Sequence, residues 1–160
     1  MRGINMKKHF LIFSILTISA LTGCATLPDS SMSYVSEKIT NPSDASVMAY
    51  DAADYLTTVL PPAQTTLMLD PPQSLRGNIL TPAFETALRT RGYALVQLPQ
   101  YPSPVSKQPH GTHLRYLISP LDAGVLLQLQ YQGVEAARFY YRDKNGALTF
   151  NAPFTVRESH

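Results

Sequence analysis

His113-Leu114-Arg115-Tyr116-Leu117-Ile118-Ser119 puts Leu114, Tyr116 and Ile118 on one face of a strand, and the runs that follow it decide the fold. Leu121-Asp122-Ala123-Gly124 turns the chain into a second strand over residues 125–131. Gln132-Gly133 leads into a third over 134–142. Asp143-Lys144-Asn145-Gly146 is the strongest hairpin signal in the chain. A final strand is predicted over 147–156, with Leu148, Phe150, Ala152 and Phe154 on one side. Pro153 has no N–H to give to a ladder, so it belongs at an edge or bulge. The last third of the chain therefore reads as an antiparallel meander.

Working back toward the amino terminus, the period changes from two to 3.6. Ala45, Met48, Ala49, Ala52, Leu56, Val59 and Leu60 form one helical stripe, with Asp54, Thr57 and Thr58 turned away. Pro42-Ser43 starts this helix, with Ser43 or Asp44 as the cap, and Pro61-Pro62 stops it. Residues 63–69 read as a strand closed by Asp70-Pro71-Pro72. A second helix is expected over 74–91; Pro82 either kinks it or restarts it with Thr81 as cap. Gly92 closes it, and 93–98 is another strand. A proline-bearing loop over 99–111 is long enough to be functional or mobile. Two helices on a mostly antiparallel sheet make an α+β domain over 43–160, with no internal repeat and no second domain.

Residues 1–23 have the parts of an export signal: Arg2, Lys7 and Lys8, then an apolar run from Phe10 to Leu21. That run is too short to span a bilayer, which takes ~20 apolar residues. Leu21-Thr22-Gly23-Cys24 at its end resembles the lipobox of bacterial lipoproteins. The resemblance implies cleavage before Cys24 and a covalent lipid on its sulfur, acyl chains such as palmitate holding the protein to a membrane. Cys24 is the only cysteine, so no disulfide framework exists. With the signal removed, ten basic side chains face eleven acidic ones, a net charge of −1, and no basic tract is left to support binding of nucleic acid. The charge is uneven: residues 24–70 carry one basic and six acidic groups, residues 71–160 nine basic and five acidic. That asymmetry either orients partners or is neutralised within the fold. Ala25, where an aspartate would resemble an inner-membrane retention signal, favours the periplasmic face of the outer membrane. Residues 24–42 read as the lipidated cysteine and a flexible tether, rich in Ser, Thr and Pro. Its short apolar pieces, Met32, Tyr34, Val35 and Ile39, are alternatively a peptide that folds on docking.

Few residues point to chemistry. His110 and His113 flank Gly111 at a loop-to-strand junction and read as surface histidines, so no metal site is expected. No G-x-S-x-G, catalytic triad or phosphate loop can be assembled, so no catalytic residue and no cofactor beyond the lipid is expected. Asp51 and Asp54 read as solvated acids of the first helix. Tyr116, Tyr131, Tyr140 and Tyr141 cluster in the meander and Tyr101 lies in the proline loop. They are either core residues or half-buried cross-strand pairs, or an interface.

The runs Asp51-Ala52-Ala53-Asp54-Tyr55-Leu56, Leu60-Pro61-Pro62-Ala63-Gln64-Thr65-Thr66-Leu67 and Phe84-Glu85-Thr86-Ala87-Leu88-Arg89-Thr90-Arg91-Gly92-Tyr93-Ala94-Leu95 resemble the TrbH conjugal transfer lipoproteins. The resemblance is good over residues 20–98 and holds in outline beyond. It implies a lipid-anchored structural subunit of a type IV secretion channel at the outer membrane, partnered by other core-complex subunits. It brings no catalytic residues. The order of elements is also similar to the small ring-forming domains at the periplasmic end of secretins, which implies a ring of copies within the complex. The alternative is a stand-alone envelope lipoprotein holding a cell-wall component or a periplasmic protein. The lipobox gives a direct test: Cys24→Ser should accumulate as uncleaved precursor and leave the outer-membrane fraction, read by mobility and fractionation. Normal processing of the variant would remove the assignment.

Overall fold

The computed structural model describes residues 32–70, 72, 74, 76–98 and 110–158. The predicted export signal, the Leu21–Cys24 motif, and residues 99–109 of the proline-bearing loop with Tyr101 lie outside them. The order is β1 (Tyr34–Val35), α1 (Pro42–Val59), a 3₁₀ turn (Pro62–Gln64), β2 (Thr66–Leu69), α2 (Leu80–Thr90), β3 (Ala94–Gln97), β4 (Thr112–Leu121), β5 (Gly124–Tyr131), β6 (Val134–Arg142), β7 (Leu148–Thr149) and β8 (Thr155–Glu158). One open mixed sheet runs β3-β2-β4-β5-β6-β7, with β1 added to β4 and β8 to β6. The class is α+β, as the sequence implies.

α1 forms for the local reasons expected, with its cap one step earlier. Asn41 Oδ1 accepts from Ser43 N at 2.9 Å and Pro42 takes the first turn, where no N–H is needed. Neither Ser43 nor Asp44 is the cap. Ala45, Met48, Ala49, Ala52 and Leu56 are buried, as the stripe demands, whereas Val59 is exposed. α2 is shorter than predicted. Asn78 accepts from Thr81 N at 3.0 Å and donates to Thr81 Oγ1, so Asn78 rather than Thr81 supplies the capping oxygen and Pro82 falls in the first turn without a kink.

Two motifs far apart in sequence meet where α1 ends. Gly92 has φ +88°, and Tyr93 N donates to Leu88 O at 3.2 Å, which closes α2. The turn aims the Tyr93 hydroxyl at Leu60 O, an orphan carbonyl at the end of α1, 2.5 Å away. Leu60-Pro61-Pro62 and Gly92-Tyr93 are thus two halves of one corner.

The segment before α1 departs from the tether reading. From Met32 on, its described part belongs to the sheet. β2 ends at Leu69, and β4 runs on for seven residues past Leu114, the last residue it pairs with β2. β1 fills that edge in parallel, Tyr34 opposite Leu117 and Val35 opposite Ile118. Buried Ser33 Oγ accepts from Tyr116 N at 3.1 Å, Ser36 N donates to Ile118 O, and Val35 and Ile39 enter the core. The composition is polar, but the polar groups complete a strand edge that would otherwise be unpaired.

The last predicted strand is split. β7 pairs only Leu148 and Thr149, and β8 returns at Thr155. The chain takes six residues from Thr149 to Thr155 where β6 takes four from Tyr141 to Ala137. The excess lets Phe150 and Phe154 lie over the Arg138 guanidinium, at 4.4 and 4.1 Å from ring centroid to Cζ. Pro153, in the excursion, needs no ladder partner.

Arg138 lies on the helix-facing side of β6 between buried Ala136 and Tyr140. Asp51 of α1 meets it: Arg138 Nη1 donates to both carboxylate oxygens at 2.6 and 2.8 Å, and the Tyr140 hydroxyl donates to Oδ2. One helical repeat away, buried Asp44 accepts from Arg142 Nη2 at 2.7 Å. Seven helical residues rise about 10.5 Å and four strand residues about 13.5 Å, so the two rungs match when α1 runs antiparallel to β6. Asp54 accepts from Arg91 of the α2 terminus. Asp51 is therefore no solvated acid, and the charge imbalance between the two parts of the chain is matched here by pairing within the fold. Asp51→Asn should destabilise the chain by about 3–5 kcal/mol, since it leaves a buried guanidinium uncompensated. Asp54→Asn, at an exposed pair, should cost no more than about 1 kcal/mol. Urea denaturation of the two variants checks the contrast.

Candidate functional site

The described tyrosines divide sharply. Tyr116, Tyr131 and Tyr140 are buried, so the interface reading of these three is replaced by a core role. Each hydroxyl has a partner: Tyr116 with Thr81 at 2.7 Å, Tyr131 with Tyr55 at 2.7 Å, and Tyr140 with Asp51. Inward positions on consecutive strands put them there, and the helices supply the polar ends. Tyr141, one residue on, faces out and is 37% exposed.

A cleft of about 530 Å³ opens at the carboxyl ends of the parallel strands β2 and β3, beside the start of α2. From β2 the chain crosses through α2 to β3 on one side, then passes to β4 on the other. Such a switch point leaves a crevice in open sheets. Asp70 and Tyr116 line it with Thr81 and Glu85 from α2, between apolar Leu69 and Leu98. Asp70 is buried and its Oδ1 lies 3.1 Å from Nδ1 of the exposed His113. Glu85 accepts from Gln97 Nε2 at 2.5 Å. Burial pushes the Tyr116 phenol up to about 12, and the charges of Glu85 and Asp70 push the same way. The cleft thus combines carboxylates with hydroxyls that can donate.

His110 and His113 are both exposed, and among the described residues no group of three or more His, Cys, Asp or Glu is placed to hold a metal ion. No helix among them is long and apolar enough to cross a membrane. Sequence reasoning missed the Asp51–Arg138 pair. The signal was present, because an arginine at an inward strand position requires an anion, and Asp44 and Asp51 lie seven apart on the helix.

The class these features define is a small α+β domain with a cleft at a strand switch point and, among the described residues, one sheet face without helices. The chain matches the family described as conjugal transfer protein TrbH over residues 27–159, and it belongs to that family. Membership gives it a role in conjugal transfer. No curated protein and no solved structure matches it.

The buried tyrosines give an alkaline signature. Burial raises the Tyr93 phenol to about 12 and moves those of Tyr131 and Tyr140 upward as well, the Asp51 charge adding to the effect at Tyr140. A pKa raised above its unfolded value of about 10 contributes stability that is complete below pH ~10 and is lost as pH climbs through the folded value. In denaturant all nine tyrosines should ionise near pH ~10. In the folded chain the phenolates of Tyr93, Tyr116, Tyr131 and Tyr140 should appear only above that, together with loss of circular dichroism. Full ionisation near pH 10 with the fold intact would contradict the assigned packing.

Proposed function

We propose that the chain is a lipid-anchored structural subunit of a conjugative type IV secretion channel, held at the periplasmic face of the outer membrane through Cys24, and not an enzyme. The observation that carries this reading is the family match along residues 27–159. The Leu21–Cys24 motif supports the anchor.

In this reading the protein works by position. An anchor confines the domain beside the other channel subunits, so that contacts weak in solution become effective. A heterologous contact between copies, repeated by rotation, closes into a ring within the complex. The purified domain is then monomeric while the lipoprotein extracts with larger subunits.

Deleting the gene should reduce plasmid transfer, and a copy exported without its lipid should restore it poorly compared with the intact gene. Mating assays read the first effect, and co-purification in mild detergent reads the association. Unchanged transfer on deletion, with no channel subunit in the extract, would remove the proposal.

A further inference from the structure

Both helices lie on one face of the sheet, and strand register fixes which side chains share the other. Moving away from the β4–β5 turn, the cross-strand rows are Leu121–Gly124–Tyr141, then Ser119–Leu126–Phe139, then Leu117–Gln128–Ala137 with Tyr34 beside Leu117. The fourth row is Arg115–Gln130–Glu135, with Arg157 outermost. The first three rows hold no charged side chain. The fourth is charged and cross-linked, Arg115 donating to Gln130 at 3.2 Å and Arg157 to Glu135 at 2.9 Å. Alternate residues along a strand are about 6.8 Å apart, so the face changes from apolar to charged over roughly 20 Å.

The apolar end is exposed. Leu121 is 48% exposed, Tyr34 and Phe139 are each 40% and Tyr141 is 37%. Phe139 lies over Gly124, where a Cβ would collide with the ring and with Tyr140 O. A glycine in mid-sheet thus fixes a large ring on the open face instead of leaving a gap.

We propose that this apolar end rests on the interface of the lipid bilayer, with the charged row directed away from it into water. The inference depends on the reading of Cys24 as lipidated. Two observations favour lipid over protein as the occupant. Met32, whose carbonyl accepts from Arg115 Nε at 2.9 Å, lies eight positions after Cys24, and that length reaches at most about 29 Å. Tyr34, two residues on, is part of the patch, so the anchor keeps the patch within a short reach of the membrane. The side chains are also of the interfacial kind: Tyr34 and Tyr141 join an apolar ring to a polar tip, and within the cross-strand rows charge is confined to the fourth, Asp122 standing outside them in the β4–β5 turn. The contact needs little affinity of its own because the acyl chains hold it in place.

The chain contains no tryptophan, so a single introduced one is a unique reporter. Tyr141→Trp and, as control, Tyr50→Trp on the exposed side of α1 would be made in the full lipoprotein. Each would be reconstituted in phosphatidylethanolamine–phosphatidylglycerol vesicles with and without brominated acyl chains. The Tyr141→Trp emission should shift to the blue and lose most of its intensity to bromine, while Tyr50→Trp keeps its emission. Equal emission from both probes in the two vesicle types would overturn the proposal. So would a blue-shifted but unquenched Tyr141→Trp, which marks a second copy or another protein on the face. The mass of the amino-terminal peptide from the same preparation separates the two readings. A bare Cys24 removes the anchor, whereas a lipidated Cys24 with an unquenched Tyr141→Trp removes only the membrane contact.

Discussion

A guanidinium on the wrong face of a strand organises this domain. Arg138 points toward the helices from β6, where its neighbours Ala136 and Tyr140 are buried, and it is only 12% exposed. A charge in that place has to be matched in both sign and geometry. The Asp51 carboxylate supplies the sign, the Tyr140 hydroxyl fixes that carboxylate, and the rings of Phe150 and Phe154 cover the guanidinium. This cluster joins α1 to β6, engages the Tyr140 hydroxyl, and draws in the two rings that flank the break between β7 and β8. Asp44 and Arg142 repeat the arrangement at the edge, where Arg142 is more exposed.

At the other end of α1 a neutral contact does similar work. The Tyr93 hydroxyl reaches the last carbonyl of the helix because Gly92 turns the chain sharply after α2. That ties α1, α2 and β3 into one unit and leaves the ends of β2 and β3 open as the cleft. β1 then occupies the part of the β4 edge that β2 does not reach. The helix-facing side is thus closed by packing, with the cleft at one end and, among the described residues, a sheet face without helices behind. A member of a conjugal transfer family that acts through contacts has those two surfaces to offer, besides its edges.

Much of this was legible in the sequence because its causes are local. The α1 stripe, the Pro61-Pro62 stop, the inward set Leu114, Tyr116 and Ile118, and the turns at Asp122, Gln132 and Asp143 each depend on a few neighbouring residues. The cleft was not legible, because Asp70, Glu85 and Tyr116 come from three elements and become neighbours only when β2 lies between β3 and β4. β1 was hidden by composition: serines that look like a tether are also the residues whose hydroxyls and amides suit a partly buried strand edge.

By itself, then, the sequence determined the two helices, the meander and its inward faces, since periodicity and turn chemistry act over one or two turns of chain. It also carried the runs that resemble TrbH. Tertiary structure decided which acid meets which base, whether Tyr116, Tyr131 and Tyr140 face the core or solvent, and where the final strand breaks. Asp51 and Arg138 are 87 residues apart. Nothing local distinguishes a carboxylate that will be solvated from one that will neutralise a buried arginine, because that choice depends on desolvation, which exists only once the layers have packed.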